Sequence, residues 1–330
     1  MFAPSIEQVM KDFGTTTQFF ATFSVSIYLI GYFFGPLLFA PLSETYGRLI
    51  VYHITNILYV VFTVACAVAP SLDSLIGFRF LAGSAGSACL VLGAGSVADM
   101  YPREKRGSKM TAFVLGPMMG PVVGPIAGGF ISQDLDWRWI FWSISIAAGV
   151  VAVACLVCLR ESYAPVILQK RALKSGAYAS TQRHIANGPK PGEDLLNALL
   201  IKYKLYMAII YGYLYLLFTT ITQVYENVYG FSTGLAGLSY LGLGVGMVLG
   251  LAVFGSTSDK RLKKKKEKEG QVEPEFHLQA LIPAALCIPV GLFWYGWSAE
   301  KKIHWIMPIL GTTWVGFAMT GVFVSTSQDC

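Results

Sequence analysis

Charge is scarce in this sequence. Only 13% of its 330 residues are Asp, Glu, Lys or Arg, where a soluble domain carries about 25%. With 54% hydrophobic and 14% aromatic residues, the deficit makes lipid the solvent rather than water. Histidine is scarce as well: His53, His184, His277 and His304 are scattered. No metal-ligand spacing, nucleophile–base pattern or other catalytic constellation occurs, so neither an enzyme nor a cofactor is expected. The six cysteines show no disulfide framework. Cys155 and Cys158 have the spacing of a redox or metal pair, but they fall inside an apolar run with no accompanying histidine, which makes them packing residues. A cleavable signal peptide is missing too, because the first residues lack a basic region followed by a short apolar core.

What is present is apolar length. Charge-free runs occupy 13–43, 49–72, 80–98, 110–133, 139–159, 205–225, 227–258, 278–299 and 303–328. Each is near the roughly 17–25 residues that a spanning helix needs. The expectation is an all-α membrane protein with about nine crossings. The net charge of +6 marks orientation rather than nucleic-acid binding. Twenty of the 25 Lys and Arg lie in alternate gaps: Arg48, four in 103–109, eight in 160–204 and seven in 260–268. Basic connections collect on the cytoplasmic side. Lys263–Lys266 would rest on anionic lipid there.

The residues Gly116 to Gly129 read GPMMGPVVGPIAGG. In water, Pro117, Pro121 and Pro125 would break a helix at roughly 3 kcal/mol apiece. In a bilayer, backbone groups have no water to bond, so helix is nearly forced on any spanning segment. Gly116, Gly120, Gly124 and Gly128, with Gly129 beside them, then line one drifting face where another backbone can come close. Further small-residue faces are Gly31 with Gly35, the set Gly83, Gly86, Gly93 and Gly95, and the set Gly242, Gly244, Gly246 and Gly250.

In chain order, Met1–Phe13 is a short amphipathic lead-in on the outer side. Its placement implies a helix upstream of it. The turn Ala40-Pro-Leu-Ser-Glu44-Thr-Tyr-Gly47-Arg48 joins two antiparallel neighbours, with Glu44 and Arg48 of opposite charge and Gly47 permitting the turn. Arg79 is the one charge well embedded in a candidate span; it either faces a cavity or partner or snorkels to the outer end. Trp137, Trp139 and Trp142 with Arg138 read as an interfacial aromatic belt. Residues 161–204 read as a cytoplasmic linker between an N-terminal bundle, 1–160, and a C-terminal one, 205–330. The second half opens with tyrosines, Tyr211 among them, and reaches Gln223, Tyr225 and Glu226, where one or two side chains would line a cavity. Gly255-Ser-Thr-Ser-Asp259 parallels Ala40-Pro-Leu-Ser-Glu44. Each places a carboxylate four residues beyond a small residue at the inner end of a glycine-rich span. The pair is an internal repeat of about 215 residues, a mark of transporter folds.

The turn Pro41-Leu-Ser-Glu44-x-Tyr-Gly47-Arg48 resembles the signature loop of the major facilitator superfamily, and more closely its fungal drug:proton antiporters. Ala40, Glu44, Thr45 and Leu49 stand where the general pattern has glycine, aspartate, arginine and a basic residue. Arg79 with Gly83 and Gly86 matches the arginine-bearing fourth helix, and Gly116–Gly129 the antiporter motif of the fifth. Trp137–Trp142 and Glu161-Ser-Tyr-Ala-Pro165 are similar to the family as well. The resemblance implies a twelve-helix bundle of which this chain holds helices two to ten and the end of the first, an apparently truncated form. It implies a monomer that exports small amphiphilic or cationic compounds in exchange for protons, in the plasma membrane. Glu44, Arg48 and Asp99 would latch the cytoplasmic helix ends, with Asp259 as the second half's counterpart. Arg79 would tune a nearby protonation. The proton-carrying acid is Glu226 or lies outside this sequence. A non-transporting truncated fragment and a nutrient uptake carrier on the same fold are the alternatives.

Overall fold

A computed structural model describes residue 2 and residues 5–14, 18–101, 103–168, 212–253 and 278–327. Among them every regular element is a helix. In chain order these are α1 (Ile6–Asp12), α2 (Gln18–Tyr46), α3 (Arg48–Ala67), α4 (Leu72–Met100), α5 (Arg103–Asp134), α6 (Arg138–Cys158), α7 (212–227), α8 (Thr233–Val253), α9 (Leu278–Glu300) and α10 (Ile306–Ser327). Six of them, α2 to α6 and α8, are long and apolar enough among the described residues to cross a bilayer. Each charge-free run of the sequence overlaps one of α2 to α10, although residues 205–211 and 254–258 of two runs lie outside the described residues. The polybasic run and residues 169–204 of the expected linker lie outside the described residues.

Helix α5 runs unbroken through Pro117, Pro121 and Pro125, and α2 through Pro36 and Pro41. The lost backbone bonds are tolerated because no non-helical conformation of a spanning segment satisfies more of them.

The helices sort into two packing units. One comprises Val9–Arg103 and Arg138–Leu214; the other comprises Met1–Gln8, Glu104–Trp137 and Tyr215–Cys330. The first of these takes α2 to α4 and α6; the second takes α5, α8 to α10 and all but the first residues of α7; α1 is divided between them at Gln8.

Within the first unit, α4 is the central element. It packs on α2 and on α3 and buries Leu75, Arg79, Ala82, Gly83, Ala85, Ser87, Ala88, Leu92, Gly93 and Ser96. Its start is capped by Ser71, which exchanges hydrogen bonds with Ser74. Val51 and Tyr52 of α3 close a small core with Ala88 and Leu92. The α2–α4 contact is backbone against backbone. A methyl group at Gly31 would strike the Phe80 carbonyl and the Ser84 amide, at Gly35 the Ser84 carbonyl, and at Gly83 the Tyr28 carbonyl. Lipid tails are as apolar as leucine, so such close approach, not hydrophobic burial, holds the helices together.

The second unit repeats this joint nearly residue for residue. Gly246 of α8 meets the Thr313 carbonyl and Phe317 amide of α10, Gly250 meets Phe317 and Thr320, and Gly316 meets the Leu243 carbonyl. Gly246, Gly250 and Leu243 stand 215 residues after Gly31, Gly35 and Tyr28. Thr313, Phe317, Thr320 and Gly316 stand 233 after Phe80, Ser84, Ser87 and Gly83. The first spacing is the one that separates Glu44 from Asp259, although Asp259 itself lies outside the described residues.

At one end of the second unit, aromatic side chains fasten α7 to the α9–α10 turn. The Tyr225 hydroxyl donates to the Trp305 carbonyl at 2.9 Å and the Tyr229 hydroxyl to the Ile303 carbonyl at 2.8 Å. Tyr225 stacks on Tyr229, and Phe231 packs on Trp305. Tyr225 is fully buried, so Tyr225→Phe should strand the Trp305 carbonyl and lower stability by about 1 kcal/mol. Thermal unfolding of the detergent-purified chain, followed by tryptophan emission, checks this; a midpoint unchanged within error would remove the bond's importance.

The tryptophan belt is narrower than the sequence suggested. Trp139 and Trp142 are exposed, at 50% and 37%, as a belt requires, but Trp137 is wholly buried against Phe2. One residue separates a ring that faces outward from one that faces inward, because α6 begins between them. Arg138 pairs with Asp12 at 2.8 Å and lies over the Phe13 ring.

Candidate functional site

The Gly47 turn builds the first part of the site. Gly47 has φ +94°, a left-handed conformation that ends α2 and starts α3 one residue later. It has no side chain with which to cap α3. The missing cap arrives from 113 residues further along the chain: Glu161, just beyond α6, accepts from the Arg48 amide at 3.1 Å and from the Leu49 amide at 3.2 Å. Its Oε1 also accepts from the amides of Ser162 and Tyr163. A carboxylate here answers both the orphan donors and the positive end of the helix dipole.

The Arg48 side chain turns away from α2 to Asp99 at the end of α4, with its Nε donating to Asp99 Oδ2. The pair is mostly enclosed, at 14% and 23% exposure. The guanidinium rests over Tyr163, 5.5 Å from the ring centre, and fills the space that a side chain on Gly95 would need. Charge, ring and glycine thus belong to two helices, α3 and α4, and the segment after α6.

Glu44 is not in this cluster. It is exposed near the end of α2, and among the described residues no ion pair joins it to Arg48. The sequence spacing of four suggested one. The left-handed turn at Gly47 puts the two residues on different helices, so helical neighbourhood does not apply.

Arg79 lies on α4 with 7% exposure. Its guanidinium sits 5.9 Å from the Tyr28 ring of α2 and 5.7 Å from the Phe141 ring of α6. The Tyr59 ring of α3 and the Tyr28 hydroxyl lie on the neighbouring Gly86, 3.1 and 3.0 Å from where a Cβ would stand. The side chain is therefore enclosed by the unit and does not snorkel. An aromatic surround holds a cation through its ring quadrupoles.

In the other unit, the second half of the Gly/Pro motif packs on α8. Gly129 faces the Thr233 carbonyl, Gly237 faces the Pro125 carbonyl, both at 2.8 Å from an added Cβ, and Gly244 faces Val122. Gly124, Pro125, Gly128 and Gly129 are buried. Gln133 accepts from the Gly234 amide at 3.0 Å and so caps α8, whose own Ser232 does not. Pro121 is half-buried between the two halves of the motif. Gly116, Pro117 and Gly120 are exposed, and no described atom lies within 4 Å of a Cβ added at either glycine. The four-residue period thus supplies a packing face over only half its length. An α-helix turns by 3.6 residues, so a strict four-residue row drifts off the α8 contact.

On α7, Thr222 shares a hydrogen bond of 3.0 Å with the buried Tyr240 of α8, whose hydroxyl also reaches the Phe218 carbonyl. Glu226 follows one turn later and is half-buried; Gln223 beside it is exposed. Tyr211 lies outside the described residues. Cys155 and Cys158 are free thiols, and no group of three metal-ligating side chains forms among the described residues.

Sequence reasoning missed Glu161 as a site residue, although its motif was noted. The legible signal was a helix beginning at Arg48 behind a glycine, with no local cap. An acid immediately after a span is the natural group to supply one.

Paired apolar helices joined through facing glycines, a joint repeated in two units, define an all-helical multi-pass membrane protein. The sequence matches the Major Facilitator Superfamily over residues 1–330, and the chain belongs to that family. It is 47% identical to the MFS-type transporter penM of Penicillium rubens over 99% of this chain and 67% of that protein. It is 46% identical to the MFS transporter cpaT of Aspergillus oryzae over 96% and 67%. The chain thus spans about two thirds of the length of these relatives. In fold it is similar to the proton:xylose symporter XylE bound to 6-bromo-6-deoxy-D-glucose, with a TM-score of 0.74 at 18% identity, covering 99% of this chain and 76% of that one. It is also similar to the human organic anion transporter MFSD10, with a TM-score of 0.62 at 17% identity, covering 99% and 75%.

Proposed function

We propose that the chain serves proton-coupled export of small amphiphilic or cationic compounds by alternating access, as a monomer in the plasma membrane. The observation that carries the reading is the α5–α8 joint. Gly129 and Gly237 bring two backbones together over the half of the motif that resembles the antiporters, and so close a joint leaves no leak path for protons. Fungal relatives at 46–47% identity bear transporter names, which agrees with a transport role.

In this reading Arg48, Asp99 and Gly47 form the latch at the basic ends of the helices. Asp259 is its counterpart in the second half, and Glu44 faces the surrounding medium. Arg79 sets the protonation of a group near it. Glu226 is the acid that carries the proton, with Gln223 and Tyr211 toward the substrate path. Anionic lipid holds Lys263–Lys266. Binding of substrate and proton to alternate states shifts the population between inward and outward openings.

Reconstitution into lipid vesicles with an imposed pH gradient tests this. Addition of a lipophilic cation should dissipate the gradient, and Glu226→Gln should abolish that response. A correctly inserted chain that moves neither compound nor protons would rule the reading out in favour of a non-transporting fragment. Uptake of a sugar without proton counterflow would rule it out in favour of a nutrient carrier.

A further inference from the structure

The two repeats differ inside one helix. Thr233, which begins α8, stands 215 residues after Gln18, which begins α2. Helix α2 runs from Gln18 to Tyr46 without interruption, Pro36 and Pro41 included. Helix α8 has no proline, yet its regular pattern stops at Leu238 and resumes at Tyr240. Between them the backbone bonds reach back three residues instead of four. The Ser239 amide donates to the Ala236 carbonyl and the Gly242 amide to the Ser239 carbonyl, both at 3.3 Å. The buried Ser239 hydroxyl donates to the same Ala236 carbonyl at 2.6 Å. A hydroxyl that bonds back into its own helix bends it, and a three-residue spacing inside a long helix marks a hinge. Ser24, the repeat mate of Ser239, is buried as well but lies in unbroken helix, so the serine acts together with its neighbours. Before it, α8 reads Gly234-Leu-Ala-Gly237-Leu where α2 reads Phe19-Phe-Ala-Thr22-Phe. Each glycine gives up more backbone freedom to become helical than the residue it answers.

The two parts of α8 are fastened to different neighbours. The part before Ser239 belongs to α5: the Gly234 amide donates to Gln133 at 3.0 Å, and Gly129 and Gly237 bring the two backbones together. The part after it belongs to α10, through Gly242, Gly246 and Gly250, and to α7, through Tyr240. The Tyr240 hydroxyl donates to the Phe218 carbonyl at 2.6 Å and shares a bond of 3.0 Å with Thr222. Gly244 crosses this division to meet Val122 of α5, but there it meets side-chain atoms and not backbone. We infer that α8 hinges at Ser239, so that the part held by α5 turns against the part held by α7 and α10. Tyr240 is the first residue past the hinge and passes its movement to α7 at Phe218 and Thr222, one turn before Glu226. The hinge stands apart from the export reading, which would use it as one joint in the change between openings.

The repeat supplies its own control. Spin labels are placed in pairs on the full chain, with its six native cysteines replaced by alanine, and the chain is held in lipid nanodiscs. Leu235→Cys with Leu249→Cys spans the hinge, and both positions are exposed. Phe20→Cys with Phe34→Cys is the same pair 215 residues earlier, and both of its positions are exposed too. A straight helix would separate the members of either pair by about 21 Å. Pulsed dipolar spectroscopy should give one narrow distance for the α2 pair. For the α8 pair it should give a shorter mean distance and a distribution about twice as wide. Ser239→Ala removes the back-bonding hydroxyl and should take away about half of that excess width. Ser24→Ala should leave the α2 pair unchanged. Equal distributions for the two pairs would overturn the inference whether or not Ser239→Ala accumulates. A shorter distance as narrow as that of α2 would show a fixed kink and overturn it as well, as would an α8 distribution that Ser239→Ala leaves just as wide. If the widths differ as stated while a lipophilic cation moves no protons in vesicles, the export reading fails and the hinge stands.

Discussion

Gly83→Val should leave almost no folded protein. A Cβ at this position would run into the Tyr28 carbonyl of α2 and lie 3.0 Å from its carbon. The obstacle is backbone, which has no rotamer to yield. Relief requires α2 and α4 to separate along their length, and separation loses the contacts that Gly31 and Gly35 make with Phe80 and Ser84 in the same seam. Overpacking alone costs about 1–3 kcal/mol, and the lost neighbours add to it. Against a total stability of roughly 5–15 kcal/mol, that removes most of the margin. The repeat sharpens the expectation. Gly316 meets the Leu243 carbonyl as Gly83 meets that of Tyr28, so Gly316→Val should be equally damaging. Gly116→Val, with no described atom within 4 Å, should be nearly neutral. The amount of monodisperse protein after size exclusion in mild detergent ranks the three. Gly116→Val failing alongside the others would show that glycine matters here through the chain's flexibility rather than through close approach.

The contrast between Gly83 and Gly116 shows which parts of the molecule are readable from sequence. Run length and charge alternation locate helices well, because a bilayer leaves the backbone few alternatives. The proline-bearing α5 could therefore be placed as a helix against its own propensities. The repeat was readable from one pair of carboxylates, Glu44 and Asp259, yet its physical basis lies in the glycine seams. Glycine spacing marks a face without saying how much of it meets a partner; the α8 contact begins only near Val122 and leaves Gly116 and Gly120 outside. Sequence neighbourhood also misled where the backbone turns sharply. Glu44 and Arg48 are four apart, but Gly47 sends Arg48 to Asp99, 51 residues away. Glu161, 113 residues from Arg48, could be found only by asking what caps α3. Burial of Trp137 beside exposed Trp139 depends on where α6 starts, a boundary that composition does not resolve.

Arg79→Met should abolish transport while leaving the fold nearly intact. Methionine keeps most of the apolar stem and the packing against Phe141 but removes the charge between the Tyr28 and Phe141 rings. An ion enclosed in a low-dielectric interior stabilises its own site weakly or not at all, because the cost of desolvation offsets what its neighbours return. The variant's thermal midpoint should therefore hold or rise. Transport responds differently. A fixed cation enclosed among helices changes the protonation of any acid that approaches it, and each tenfold change in rate corresponds to about 1.4 kcal/mol of barrier. Loss of an interaction of roughly 3 kcal/mol would slow proton-linked flux by about a hundredfold. Arg79→Lys should rescue little, since an ammonium is a compact, strongly hydrated charge that neither stacks on two rings nor spreads its donors as guanidinium does. The measurement is initial rate of substrate-driven proton movement in vesicles, normalised to inserted protein and set beside the melting curve. A variant that melts early and transports in proportion to its folded fraction would make Arg79 a packing residue. A stable variant with normal flux would remove it from the coupling path.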